Sequence, residues 1–128
     1  MSHPHQDWWR NAVVYQIYPK SFQDSGAKGT GDLRGILQRL NYLKTLGVDA
    51  IWITPFYESP QVDNGYDIAD YYTVDPSYGC MDDFDTLVAG CRQYGIKIIL
   101  DMVFNHTSTQ HAWFQAALAD RNSPYRDF

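Results

Sequence analysis

The apolar run Ile96-Lys97-Ile98-Ile99-Leu100 stops at a carboxylate, Asp101, and continues as Met102-Val103-Phe104-Asn105-His106. Aliphatic residues at consecutive positions predict a strand covered on both faces, as in a parallel sheet between helices. Such a strand has no natural place for an unpaired carboxylate, because burying one carries a heavy desolvation penalty. Asp101 stands at the carboxyl end, and Asn105 and His106 follow as the chain leaves. In parallel β/α architectures that end carries the binding and catalytic groups. The plain alternative is a structural ion pair at Asp101 and an ordinary loop histidine at His106.

The rest of the chain supplies the companions such a strand needs. Val13 to Pro19 reads as a first strand closed by proline, followed by a glycine-rich loop from Asp24 to Asp32. Asp32 is the expected N-cap of a helix whose stripe is Leu33, Ile36, Leu37, Leu40, Leu43 and Leu46, with Gly47 as C-cap. Ala50-Ile51-Trp52-Ile53-Thr54-Pro55 is a second buried strand. A connection from Phe56 to about Cys80 is punctuated by Pro60, Asn64-Gly65, Asp75-Pro76 and Gly79, and reads as loop. It carries Tyr57, Tyr66, Tyr71, Tyr72 and Tyr78, and loops this long in a compact domain are usually functional or disordered. Met81 to Tyr94 is a helix with Phe84, Leu87, Val88 and Cys91 inward, Asp82, Asp83 and Asp85 near its positive end, and Gly95 as cap. Ala112 to Ala119 is a short further helix.

The order strand–helix–strand–helix–strand carries no hairpin signal, so the strands are expected to be parallel, with every strand-to-helix loop on one face. The glycine-rich loop, the tyrosine-rich loop and the Asn105-His106 turn should converge there. Doubly wound sheets and eight-stranded barrels both fit this α/β pattern; no G-x-G-x-x-G directly follows a strand, which argues against a dinucleotide fold. Ten basic and fifteen acidic residues, with no long run of either sign, leave no footprint for nucleic acid. No apolar stretch is long enough for a membrane span, and Met1 to Arg10 lacks the apolar core of a signal peptide. Cys80 and Cys91, without CxxC spacing, read as free thiols of a cytoplasmic protein. The ten Tyr and four Trp suit sugar recognition as well as core packing.

Asp101-Met102-Val103-Phe104-Asn105-His106 resembles the first signature region, D-x-x-x-N-H, of the α-amylase family of glycoside hydrolases. Val14 to Phe22, Gly31 to Ile36 and Asp63-Asn64-Gly65-Tyr66-Asp67 resemble the oligo-1,6-glucosidase branch. Pro55 to Asp67 and Ser108-Thr109-Gln110-His111 are most similar to the trehalose-6-phosphate hydrolases within it. The resemblance implies the first three β/α units of a (β/α)8 TIM barrel, truncated, since such barrels run to about 250 residues. Residues 1–104 are expected to belong to the barrel and 105–128 to begin a domain inserted after the third strand. It implies a retaining, exo-acting α-glucoside hydrolase acting on trehalose 6-phosphate, with isomaltose-type α-glucosides as the alternative substrates. A non-catalytic sugar-binding homologue is the alternative from another class.

By the same resemblance the nucleophile and the acid/base lie on later strands, so the chain alone is expected to be inactive and to contain no catalytic residue. Its share is one side of a glucose pocket. Tyr66 would stack on the sugar, Asp67 accept from hydroxyls of the non-reducing end, and His106 bond the 6-hydroxyl. Asp101 would orient an arginine of the fourth strand, and Asn105 would brace the inserted domain. The alternatives are a packed loop tyrosine at Tyr66 and a turn-capping carboxylate at Asp67. A calcium loop of the family is degenerate here: Asp24, Gly26, Lys28, Thr30 and Asp32 stand at its positions. Calcium takes six to eight oxygens, so no metal is expected, with Lys28 bridging Asp24 and Asp32 in its place. No cofactor is expected, and the full-length protein is expected to be a monomer with a small sugar or sugar phosphate as its ligand.

Overall fold

A computed structural model describes residues 7–128; the start of the amino-terminal segment read above, residues 1–6, lies outside the described residues. After a 3-10 turn at Trp8–Asn11, the elements are β1 (Val14–Ile17), α1 (Pro19–Phe22), α2 (Leu33–Gln38), α3 (Leu40–Leu46), β2 (Ala50–Ile53), β3 (Tyr57–Glu58), β4 (Asp70–Val74), α4 (Met81–Tyr94), β5 (Lys97–Leu100) and α5 (Ala112–Ala119). β1, β2 and β5 form a parallel sheet in chain order, as the strand–helix alternation requires. Tyr15, Ile51 and Ile98 share one row of the register, and Ile17, Ile53 and Leu100 another.

Those two rows face the helices and build the core together with Leu33, Ile36, Leu40, Leu43, Leu87 and Cys91. The opposite face is where the expectation of double coverage fails. Val14 is 45 % exposed and Ile99 37 %, and Lys97 is exposed as well. In the described chain the helices cover one face of the sheet and the other stands open.

Three further corrections concern local structure. The stripe from Leu33 to Leu46 is two helices rather than one: Arg39, at φ −103° and ψ 5°, separates α2 from α3. Leu46, assigned to the stripe, is exposed. Pro19 does not end β1 in a loop but starts α1, where its missing N–H is harmless at the first helical position. The connection from Phe56 to Cys80 contains an antiparallel ribbon, β3 with β4, in which Tyr57 faces Val74 and Glu58 faces Asp70 across a bulge. Its interior is a second, smaller core of Tyr57, Ile68 and Val103, flanked by Tyr66 and Tyr71.

The caps behave as their residue types dictate. Asp32 Oδ1 accepts the Gly35 N–H at 2.7 Å. Gly47 and Gly95 end α3 and α4 at φ +91° and +67°, in the left-handed region that favours glycine. Both cysteines are free thiols, Cys80 exposed and Cys91 buried; burial pushes the Cys91 thiol up to about 11. Among the described residues no helix is long and apolar enough to cross a membrane.

Candidate functional site

Asp101 follows directly on β5 and is half-buried. One of its oxygens, Oδ2, takes two donors from separate elements. The Trp52 indole N–H of β2 donates to it at 3.2 Å, and the Tyr66 hydroxyl of the connecting segment at 2.9 Å. Tyr57 of β3 donates to the Asp101 backbone carbonyl at 3.0 Å. One carboxylate oxygen is therefore held by neutral donors, and among the described residues no cation pairs with Asp101. Burial pushes the Tyr66 phenol up to about 12, helped by its bond to Asp101 and by the negative charges of Asp101 and Asp63. Tyr66 thus stays a protonated donor at any physiological pH.

His106 stands close to Tyr66. Its Nε2 lies 3.0 Å from the Tyr66 carbonyl and its Nδ1 3.4 Å from the Asn105 amide nitrogen. With a carbonyl at Nε2, the tautomer that satisfies both contacts carries its proton there and accepts at Nδ1. His106 thus braces the Tyr66 backbone, and a sugar hydroxyl would have to share or displace that bond. The Tyr71 hydroxyl ties the same exit segment down, contacting the carbonyls of Val103 and His106 at 2.6 and 2.8 Å. From the end of β1 the contact is made by the next residue, Tyr18, whose hydroxyl donates to Asn64 Oδ1 at 3.3 Å. The glycine-rich loop, expected to converge here, instead bonds to its own ends, Gly31 N–H to Lys20 O and Asp32 N–H to Gln23 O.

Asp67 is a turn carboxylate. Its oxygens accept from Ser59 Oγ at 3.0 Å, the Val62 N–H at 2.9 Å and the Asp63 N–H at 3.0 Å. Desolvation pushes its carboxyl up, but these bonds outweigh that and hold it below the usual carboxylate range. Three of about four acceptor positions of a carboxylate are taken, so the turn holds the Asp67 carboxylate in place with one acceptor position left. Asp63 is exposed, and its charge reaches Tyr66. The turn itself needs left-handed backbone at Gln61 (φ +61°), Asn64 (+55°) and Gly65 (+96°). At Gly65 a Cβ would also come within 2.8 Å of the Pro55 carbonyl, so only glycine fits.

The former calcium positions close on themselves. The Lys28 ammonium lies 3.1 Å from Asp32 Oδ2, and Ser25 Oγ donates to the same oxygen at 2.7 Å. The Asp24 oxygens accept the N–H groups of Gly26 and Gly29 at 2.9 and 2.7 Å. Lys28 therefore pairs with Asp32 but does not bridge to Asp24, whose charge is met by backbone donors; Thr30 Oγ1 turns to the Lys20 carbonyl. A cation already sits on the carboxylate a metal would need, and these residues do not fit calcium.

Known proteins resemble the chain over nearly its whole length. The α-amylase catalytic domain family matches residues 16–128. The chain is 67% identical over its whole length to the trehalose-6-phosphate hydrolase of Escherichia coli K12, covering 23% of that protein. It is 56% identical to an oligo-1,6-glucosidase of Heyndrickxia coagulans, over 95% of this chain and 22% of that one. The crystal structure of Bacillus licheniformis trehalose-6-phosphate hydrolase superimposes with a TM-score of 0.92 at 55% identity, over 94% of this chain and 22% of that one. The chain thus spans just under a quarter of the length of the curated relatives it matches.

Proposed function

Because the chain belongs to the α-amylase catalytic domain family, we propose that it is the amino-terminal part of a retaining, exo-acting α-glucoside hydrolase whose substrate is trehalose 6-phosphate. The observation that carries the substrate is the order of identities: two trehalose-6-phosphate hydrolases at 67% and 58%, above an oligo-1,6-glucosidase at 56%. On this reading β1, β2 and β5 are the first three strands of a (β/α)8 barrel, and their open face, with Gln16, Trp52 and Ile99 in one row, is its interior. Residues 105–128 begin an inserted domain. Within it Trp113 stacks on Tyr125 and Phe128 meets both edge-on, and the stack of Trp113 on Tyr71 ties the segment back to β4.

A retaining mechanism needs one carboxylate to attack the anomeric carbon and another to protonate the departing oxygen and then activate water. Both would come from strands beyond this chain. The chain's own residues form one wall of the glucose pocket. The Tyr66 ring, held by its hydroxyl on Asp101, offers an apolar face to the sugar. Asp67, held by its turn with one acceptor position left, is the acceptor for hydroxyls of the non-reducing end. His106 meets the 6-hydroxyl by exchanging its bond to the Tyr66 carbonyl. The free oxygen of Asp101, Oδ1, is left to orient a guanidinium.

The test is hydrolysis by the full-length protein. Trehalose 6-phosphate should be cleaved with a higher kcat/KM than isomaltose, giving glucose and glucose 6-phosphate. A preference for isomaltose would replace this reading with the oligo-1,6-glucosidase one, and turnover of neither sugar would leave a binding homologue.

A further inference from the structure

Trp52 is the one aromatic residue in β2, between Ile51 and Ile53, whose side chains are fully buried against the helices. Side chains alternate along a strand, so Trp52 points to the other face, beside Gln16 and Ile99 in the register. A half-buried indole N–H ordinarily finds a partner; here that partner is Asp101 Oδ2, the oxygen that also takes the Tyr66 hydroxyl.

We infer that Trp52 is a positioning residue of the glucose pocket: its indole N–H fixes the Asp101 carboxylate, which in turn fixes the Tyr66 ring and aims the second carboxylate oxygen. Two donors converging on one oxygen leave the carboxylate little freedom about its terminal torsion, which is otherwise broad. The donors come from two separate elements, β2 and the segment that follows Gly65. Hydrogen bonds to charged groups are stronger than neutral ones, so the contact matters most while Asp101 is ionised. The inference rests on the pocket reading given under Proposed function.

A double-mutant cycle in the full-length enzyme tests it. Trp52→Phe, which keeps a ring and removes the donor, should lower kcat/KM on α-glucosides about tenfold. In an Asp101→Asn background, where the charge is gone, the same change should lower it less than about twofold. Losses that are equal in the two backgrounds, or no loss at all from Trp52→Phe, would mean that Trp52 is packing alone and would overturn the inference. Should Trp52→Phe fail to fold, Trp52→Tyr takes its place in the same cycle, since its hydroxyl cannot stand where the indole N–H does.

The four proteins of the cycle are also unfolded in urea. Non-additive midpoints are expected; additive midpoints overturn the inference without any turnover being measured. A wild-type protein inactive on every α-glucoside would overturn the proposed function, while the urea cycle still decides for or against Trp52.

Discussion

The sheet with its helices and the segment from Phe56 to Cys80 are held together by different physics. In the first, Ile17, Ile36, Leu40, Ile51, Ile53 and Leu87 are fully buried and contribute by leaving water. In the second, Phe56, Val74 and Tyr78 join the core of the first, Tyr57 and Ile68 form a small cluster of their own with Val103, and the rest of the shape comes from polar groups that each meet several partners. Asp67 takes three donors; Asp75 takes the N–H of Ser59 and both the N–H and hydroxyl of Ser77; the Tyr71 hydroxyl contacts two carbonyls. Aliphatic burial is non-directional and makes a robust scaffold. Hydrogen bonds are directional, and they fix individual side chains where a ligand will need them.

The division predicts where damage falls. Ile51→Ala should be the most disruptive change, because it opens a cavity in the central strand: about 2–5 kcal/mol of stability is at stake, read as a lowered urea midpoint of the full-length protein. Asp67→Ala should divide the effects the other way. With the Val62 and Asp63 N–H groups released, the turn that carries Tyr66 loosens, and kcat/KM on glucosides should fall at least about tenfold while the melting temperature moves by only a few degrees. A melting temperature that drops as far as that of Ile51→Ala would erase the distinction between the two regions.

Acid should act on the polar region as well as on the cap at Asp32. Burial raises the Asp32 carboxyl, but Ser25, the Gly35 N–H and Lys28 outweigh it, so its folded pKa, like that of Asp67, lies below the unfolded value. The stability these groups contribute is complete above the unfolded carboxylate pKa, about 4, and is lost as pH falls from there through their depressed folded values. Melting temperatures measured from pH 6 down to pH 2 should fall in that window, and Asp32→Asn should flatten part of the slope. The smallest effect belongs to Lys28. Its side chain is 52 % exposed, so Lys28→Ala should cost no more than about 1 kcal/mol, and added calcium should leave the wild-type melting temperature unchanged.

Much of the scaffold is legible before any coordinates. Asp32, Gly47 and Gly95 mark helix ends by chemistry that acts within a few residues; the bounds of α4 follow from its apolar stripe and those of α5 from the apolar run Ala112 to Ala119. The parallel order of β1, β2 and β5 follows from strand–helix alternation alone. The ribbon of β3 and β4 is not legible, since a two-residue strand has no periodicity and its partner lies twelve or more residues away. Nor is the break at Arg39, where the stripe continues across a local change of backbone.

At the site, the sequence by itself determined which residues gather: the carboxylate after a buried run, the tyrosines of the long connection, and the Asn105-His106 exit. Only the tertiary structure decided what each one does there. Asp63 and Asp67 are the same residue type four positions apart, and the turn between them engages one carboxylate and leaves the other exposed. Trp52 reads as a core residue from its strand, and becomes Asp101's partner because β2 and β5 lie side by side. Hydrogen-bond partners are set by distances across the fold, and residues 49 apart in the chain carry no local signal of one another.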